Sequence, residues 1–294
     1  MSSVAEIRHH INAVDDTAKI TRAMHLISSA KMKKAMQMHD NNLLYFQKAR
    51  SVIRFWLENS GGSITSPYFR QHPGKRAAFL VIAADKGLCG GYNQEILKLA
   101  RKTMEEGDYK ERFLFTIGYV AFDYFERLGL HPDVNYLHII QDPNLESARA
   151  ITFELCSLFR SKMLDEVYVV YTELKRMGVL VPRVLRLLPI LEEDFMGAEL
   201  LHTPTGNLSY HPSPEKALED IVPHYLVGLV YSTLVQAYAS EHCARMTAME
   251  AATKNADEML GKLRLQLNHA RQAVITQEIT EIISGNPDQG GLRT

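Results

Sequence analysis

The sequence predicts an α/β protein in which two long terminal helices bracket a central, mainly parallel α/β domain. Three observations carry this. Val4 to about Glu58 holds neither proline nor glycine. From Pro223 to Ser284 only Gly228 and Gly261 interrupt a second helical stretch. Between them, short runs rich in β-branched and aromatic residues alternate with segments of helical periodicity, the pattern of a parallel sheet with crossover helices.

The first stretch would reach roughly 80 Å as a helix at 1.5 Å per residue. A seam runs along it in strict steps of four and three: Ile7, Ile11, Val14, Ala18, Thr21, His25, Ser28, Met32, Ala35, His39, Asn42, Phe46, Ala49, Ile53 and Trp56. That is the spacing of a coiled-coil contact line. Its middle is small or polar, and a second stripe at Ile20, Met24 and Ile27 makes the helix apolar on more than one side. Gly61-Gly62-Ser63, Pro67 and Pro73-Gly74 then break the pattern.

In the middle of the chain the runs Ala77–Ala83, Phe113–Ile117, Val134–Ile139, Glu166–Tyr171 and Arg183–Pro189 read as strands. Gln94–Glu106, Tyr119–Leu128 and Leu145–Met163 read as helices. The last two strands, separated by Lys175-Arg-Met-Gly178, suit a hairpin. Ser213-Pro214-Glu215 has the chemistry of a helix start, with serine as cap and proline in the first turn. Pro223 is expected to kink or restart that helix. Its seam is Met246, Met249, Thr253, Ala256, Leu260, Leu263, Leu267, Ala270 and Val274, and Ser284-Gly-Asn-Pro287 ends it. Ile221–Ser240 contains no charged residue but carries Pro223, His224, Gly228 and several polar groups, so a buried helix fits better than a membrane span.

Composition narrows the function. Lys+Arg 33 against Asp+Glu 34 leaves a net charge of −1 in 294 residues, so no global basic field draws the chain to nucleic acid. Hydrophobic residues at 46% exclude a disordered chain. Cys89, Cys156 and Cys243 are odd in number and far apart, which fits reduced thiols better than a disulfide framework. The start, Met1-Ser-Ser-Val-Ala-Glu-Ile, lacks the basic-then-apolar order of a signal peptide.

Few constellations carry chemistry. Asp85-Lys-Gly-Leu-Cys-Gly-Gly-Tyr-Asn93 follows a strand and opens a helix, where backbone N–H groups can receive a phosphate. It matches neither nucleotide fingerprint, and Lys86 precedes the glycines. The alternative is a tight turn whose glycines allow close backbone approach. Lys19, Arg22, Lys31, Lys33 and Lys34 give the first helix a basic face suited to solvent or an acidic protein partner. Methionines concentrate on both long helices, as packing or as an adaptable surface. No metal-ligand spacing and no G-x-S-x-G is found.

The chain resembles the gamma subunit of the F-type rotary ATP synthases, in its bacterial form. Lys19-Ile-Thr-Arg-Ala-Met24 with Ser29-Ala-Lys-Met-Lys-Lys34 looks like that family's amino-terminal helix signature, and Asp85–Asn93 like its central motif. Ser240-Glu-His-Cys-Ala-Arg-Met-Thr-Ala-Met249 and Asn268–Ile282 resemble its carboxy-terminal helix. The resemblance departs at Asp16, Ala84 and the segment after Gly118, and is weak from Val179 to Tyr210.

The fold it implies is a long antiparallel coiled coil of the N- and C-terminal helices plus a central Rossmann-like α/β domain. The boundaries are 1–60 for the first shaft helix, 61–210 for the central domain, 211–286 for the second shaft helix and 287–294 for a tail. The activity implied is that of a central rotor shaft, coupling ion-driven c-ring rotation to ATP synthesis or hydrolysis on beta subunits. Partners would be the alpha and beta subunits of a hexamer, the epsilon subunit and the c-ring. Nucleic acid is not among them, and membrane association would come only through the complex, at the cytoplasmic face of a bacterial membrane. ATP, ADP and Mg would be held by partner subunits, with no cofactor, metal or catalytic residue on this chain.

By motif position, Arg271, Gln272 and Thr276 would meet the beta-subunit catch loops. Lys19, Met24, Arg245 and Met246 would lie in the coupling region of the shaft. Lys86, Cys89 and Asn93 mark the central motif, and Tyr210 and His211 are candidates for c-ring or epsilon contact. Aligning the two shaft motifs pairs Ile7 with Leu263, Ile11 with Leu260, Val14 with Ala256, Ala18 with Thr253 and Thr21 with Met249. That register leaves the second helix uncovered beyond about Arg264, with Leu267, Ala270, Val274, Ile275, Ile279 and Ile282 in need of a sleeve from other subunits.

Two other readings stay open on the residues alone. One is a nucleotide-binding α/β enzyme with helical dimerisation arms. The other is a coiled-coil scaffold for nucleic acid or membrane, which predicts salt-dependent binding.

Overall fold

A computed structural model describes residues 4–59, 66–195 and 214–284. Its elements are α1 (Val4–Asn59), β1 (Arg76–Ile82), α2 (Tyr92–Glu106), β2 (Glu111–Ile117), α3 (Tyr119–Arg127), β3 (Val134–Tyr136), α4 (Leu145–Arg160), β4 (Glu166–Arg176), β5 (Val179–Leu188) and α5 (Pro214–Ser284). The chain divides into two compact units, one of Met1–Ile27 with Thr247–Thr294 and one of Ser28–Met246.

The larger unit is organised by β1, whose residues 77–82 are all fully buried. Buried on both faces, such a strand belongs inside a sheet covered by helices on each side. The sheet order is β3-β2-β1-β4-β5. β1 pairs in parallel with β2 and β4, β2 in parallel with β3, and β5 closes the edge antiparallel to β4. Alternation along β1 sorts its side chains into two layers. Ala77, Phe79 and Val81 pack with Ile96, Leu97 and Ala100 of α2 and Phe125 of α3. Ala78, Leu80 and Ile82 share the other core with Ile151 and Phe159 of α4, Ile53 of α1, and Val222, Leu226 and Leu234 of α5. Each large side chain buried this way contributes roughly 1.5–3 kcal/mol.

Every expected strand and helix has a counterpart, but the third strand ends at Tyr136, because His138 turns the backbone at φ 64 and Ile139 opens a short 3-10 turn. β4 and β5 run further toward the hairpin tip than the sequence suggests, because register there rests on ladder hydrogen bonds and polar pairs such as Arg183 Nε to Glu173 Oε2 at 2.9 Å. Gly178 turns the hairpin at φ 76, a value that glycine adopts without strain.

Pro223 does not restart α5, which is one continuous helix from Pro214 onward. Burial of Val222, Pro223, Tyr225 and Leu226 on both sides of the break holds the helix through the missing backbone donor. The charge-free stretch from Ile221 to Ser240 is core, with Leu226, Val230, Leu234 and Ala237 at 0% exposure. Among the described residues no helix is long and apolar enough to cross a membrane. Within this unit the α1 seam is inward throughout: Ser28, Met32, Ala35, Ala49 and Ile53 are buried, and His39, Asn42, Phe46 and Trp56 half-buried.

The smaller unit pairs the start of α1 with the latter half of α5, running antiparallel. Thr253 Oγ1 donates to Thr21 Oγ1 at 2.8 Å, and Arg22 forms an ion pair with Asp257. Lower on α1, Lys19 beside Asp15 and, more weakly, Arg264 and Arg22 hold the Asp15 carboxyl below its usual range. Ile7, Ala18 and Thr21 are buried on one helix, and Met249, Ala256, Leu260 and Leu263 on the other. Thr21 therefore meets Thr253, one helical turn beyond the Met249 that the motif alignment pairs with it. Side chains lean toward the N-terminus of their own helix, so in an antiparallel pair contacting residues are shifted toward higher numbers on the partner. Ile20 and Ile27 of the second stripe are 60% and 58% exposed.

Candidate functional site

In a sheet wound outward from β1 to β3 and back to β4, the strand order reverses between β1 and β4. Ligands of such folds bind in the crevice outside the carboxyl ends of those two strands. The Asp85–Asn93 turn lies there, between β1 and α2, as its position in sequence requires.

Helix α5 fills this crevice from within the chain. Arg245 Nη2 donates to the carbonyl oxygens of Lys86 at 3.3 Å and Gly87 at 3.2 Å. Its Nη1 donates to Glu241 Oε1 at 2.7 Å and to His242 Nδ1 at 3.4 Å. Tyr92 Oη donates to the Ala237 carbonyl at 3.2 Å, Ser240 Oγ to that of Thr172 at 2.9 Å, and the Leu174 amide to Gln236 Oε1 at 3.1 Å. The turn thus presents the Lys86 and Gly87 carbonyls to α5, and a guanidinium of the same chain is bonded to them. The contact gives the turn a structural task that needs no phosphate.

Burial sets the charges of this cluster. It pushes the Glu241 carboxyl up, partly opposed by Arg245 beside it. It drives His242 down to about 3, helped by Arg245 and Lys31, so the imidazole stays neutral and accepts from Arg245. The Cys89 thiol is also pushed up by burial and rests near Asn93 Nδ2 at 3.3 Å. Asn93 Oδ1 accepts the Ala84 amide at 3.0 Å, tying the start of α2 to the end of β1.

The glycines serve a different purpose from the one the sequence suggests. A Cβ on Gly87 or Gly91 would meet nothing within 4 Å, so close backbone approach does not require them. Gly90 is needed for its φ of 58. The close approach occurs at Gly118, where a Cβ would lie 2.2 Å from the Ala83 carbonyl oxygen.

The second candidate region is the end of α5. Its seam is buried at Met249, Ala256, Leu260 and Leu263 and half-buried at Met246, Thr253, Leu267 and Ala270, and every residue from 271 to 280 is exposed. Val274, Ile275 and Ile279 are 45%, 50% and 51% exposed. Arg271 and Gln272 are on this bare end, as is Thr276, whose hydroxyl donates back to the Gln272 carbonyl at 2.8 Å.

A family model described as ATP synthase matches residues 3–287. The ATP synthase gamma chain of Ruminiclostridium cellulolyticum is 41% identical over 292 residues, covering 97% of this chain and 98% of that one. The chain belongs to the ATP synthase gamma-chain family. The sodium ion specific ATP synthase gamma chain of Acetobacterium woodii is 33% identical, covering 96% of this chain and 97% of its own. Among solved structures, a chain of the Euglena gracilis mitochondrial ATP synthase OSCP/F1/c-ring structure matches with a TM-score of 0.65 at 14% identity, 99% of each chain being covered. One from the Tetrahymena thermophila mitochondrial central stalk/c-ring structure matches with a TM-score of 0.61 at 23% identity, covering 79% of this chain and 99% of that one. At those identities the likeness is one of fold.

Within this gamma-family chain the predicted residues fall into separate places. Lys19 is exposed and paired with Asp15 at 2.7 Å and Asp16 at 3.1 Å, and Met24 is half-buried, both in the smaller unit. Arg245 and Met246 are in the larger unit, where Arg245 is gathered with the central motif of Lys86, Cys89 and Asn93. Tyr210 and His211 lie outside the described residues, as do Ser213 and the tail from Asp288. Glu241, His242, Ser240 and Tyr92 stand inside the quoted motifs, but the sequence assigns them no role of their own. A signal existed for the first: Glu241 and Arg245 are opposite charges at i and i+4, directly after twenty residues without any charge.

Proposed function

We propose that the chain is the central rotor shaft of an F-type ATP synthase. It turns with an ion-driven c-ring and imposes different conformations in sequence on the beta-subunit sites of an alpha–beta hexamer. ATP synthesis and hydrolysis occur on those partners, which also hold the nucleotide and Mg, and this chain contributes no catalytic group. It rests against the epsilon subunit and the c-ring and reaches the bacterial membrane, at its cytoplasmic face, only through the complex. The mechanical requirement is differential contact, because a shaft that touched three equivalent sites alike would shift none of them.

The observation that carries this reading is the end of α5. A helix that leaves Val274, Ile275 and Ile279 half in water, after a seam buried as far as Leu263, is built to be covered by other chains. Arg271, Gln272 and Thr276 on that end supply polar contacts to beta-subunit loops, made and broken as the shaft turns. Lys19 and Met24 belong to the coupling region of the shaft. Tyr210 and His211 are assigned to c-ring or epsilon contact on motif position alone.

The test is co-expression with the remaining subunits and purification through a tag on this chain. A complex of normal composition that hydrolyses ATP and pumps ions into vesicles is expected. Recovery of the chain without an ATPase would overturn the reading.

A further inference from the structure

We propose that Arg245 is a positioning residue for energy coupling and acts inside the chain, as the fastener that makes the sheet domain and α5 turn as one body. The proposal rests on the rotor reading and adds to it a specific internal joint.

A shaft helix transmits torque only if the domain gripping it does not slip. Apolar packing is non-directional, so it defines the rotation of a helix about its axis less sharply than directional bonds do. Directional bonds from one level of the helix to fixed backbone atoms prevent it. In the larger unit, α5 makes such bonds at four successive levels. Gln236 takes the Leu174 amide of β4, Ala237 receives the Tyr92 hydroxyl of α2, Ser240 reaches the Thr172 carbonyl of β4, and Arg245 binds the turn after β1. They converge on the carboxyl ends of β1, the middle strand of the sheet, and its neighbour β4.

Arg245 differs from the other three. Its side chain is 9% exposed and Glu241's is 8% exposed, so the guanidinium faces inward. Four N–H bonds from its two terminal nitrogens are divided between the helix and the turn: Glu241 and His242 on one side, the carbonyls of Lys86 and Gly87 on the other. A planar fork can hold both sets at once, whereas a lysine ammonium, a compact point charge, can neutralise Glu241 but cannot span them. Rotation of α5 against the sheet would pull the guanidinium off the carbonyls and leave a charge buried beside a carboxylate with half its bonds unmade, which low-dielectric surroundings penalise heavily.

The experiment compares the wild type with Arg245→Lys in the assembled complex, reading two quantities. One is the ratio of ion pumping to ATP hydrolysis. The other is hydrogen exchange at the hydrogen-bonded amides of Ala84 and Tyr92, which anchor the turn at its two ends, with the α4 amides of residues 148–159 as internal reference. A loosened joint predicts exchange at the turn at least about tenfold faster, an unchanged α4, and a pumping-to-hydrolysis ratio reduced at least about threefold. Either change without the other overturns the proposal. A lower ratio with a protected turn would place Arg245 in contact with a partner subunit, and a mobile turn with a normal ratio would take the joint off the torque path. Wild-type values for both would reduce the residue to a neutralising charge. Faster exchange in α4 as well as the turn would mean general loosening of the domain and would also reject it. Failure of the rotor reading itself shows separately, as a wild-type chain that yields no pumping complex.

Discussion

Arg245 and Arg271 stand on the same helix in opposite surroundings. Arg245 is 8% exposed, and its donors are consumed by Glu241, His242 and two carbonyls of a turn more than 150 residues away in sequence. Arg271 opens a run of exposed residues that reaches 280. The first cation has its partners within its own chain, so its loss is felt by the fold. The second stands among exposed groups that the proposed function assigns to other subunits, so on that reading its loss is felt only by the machine. Substitutions that act on one region and spare the other are the way to test that division.

The largest effect is expected at the internal pair. Arg245→Met leaves Glu241 buried without its partner and should cost about 3–5 kcal/mol of stability, read as a lower urea midpoint of the purified chain. Adding Glu241→Leu should recover most of that loss, since removing a buried pair outright is often close to neutral. If the single variant unfolds at the wild-type midpoint, the pair is not buried as described and the comparison loses its first term.

Next comes the seam of the smaller unit, where the boundary between covered and bare helix can be located residue by residue. Leu260, 5% exposed, should cost about 2–3 kcal/mol when cut to alanine. Ile275, half exposed, should cost a few tenths at most. Equal losses at the two positions would mean that the end of α5 is covered by something within the chain.

The covered part of this pattern was legible in sequence because burial writes itself as periodicity. Every α1 seam position spaced by fours and threes is buried or half-buried, and the sheet strands match their apolar runs. The joint was not legible for three physical reasons. Two of Arg245's acceptors are backbone carbonyls, which any residue supplies. The Glu241 partner looks like an ordinary surface pair until the burial of the helix around it is known. The glycines that mark the turn point toward phosphate chemistry, whereas only Gly90 is required there, by its positive φ, and the tight approach sits at Gly118. The register, with paired numbers summing to about 270, agrees with Asn42 against the Gly228 carbonyl and Phe46 stacked on Tyr225. The Thr21–Thr253 bond lies one turn further on, by the lean of side chains that a list of seam positions does not contain.

A smaller effect follows from His242, which faces Arg245 and the Tyr238 ring on its own helix and Lys31 on α1. Its pKa falls from 6.5 to about 3 on folding. Between those values the unfolded chain binds a proton that the folded one refuses, so stability is complete above pH 6.5 and is lost as the pH falls below it. Going from pH 7 to pH 5.5 should cost about 1 kcal/mol through this group. His242→Gln, which still offers an acceptor to Arg245, should flatten that part of the pH–stability curve. An unchanged slope in the variant would show that His242 takes up its proton as readily in the folded chain as in the unfolded one.

The smallest effect on the fold is expected where the effect on function should be large. Arg271→Ala combined with Gln272→Ala removes two exposed side chains from a helix end with no burial to lose, and alanine favours the helix. The chain's stability should therefore stay within about 0.5 kcal/mol of wild type, as for surface positions generally. In the assembled complex the same groups are assigned charge-assisted contacts to the beta subunits, and each such bond is worth more than a neutral one where water is excluded. ATP hydrolysis and ion pumping should both fall severalfold while subunit composition stays normal. The two measurements discriminate in opposite directions. A stability loss of several kcal/mol would place Arg271 and Gln272 in an intrachain contact like that of Arg245, erasing the contrast between the regions. Unchanged stability with unchanged turnover would keep the bare end but show that its apolar residues, Val274, Ile275 and Ile279, make the contacts that matter.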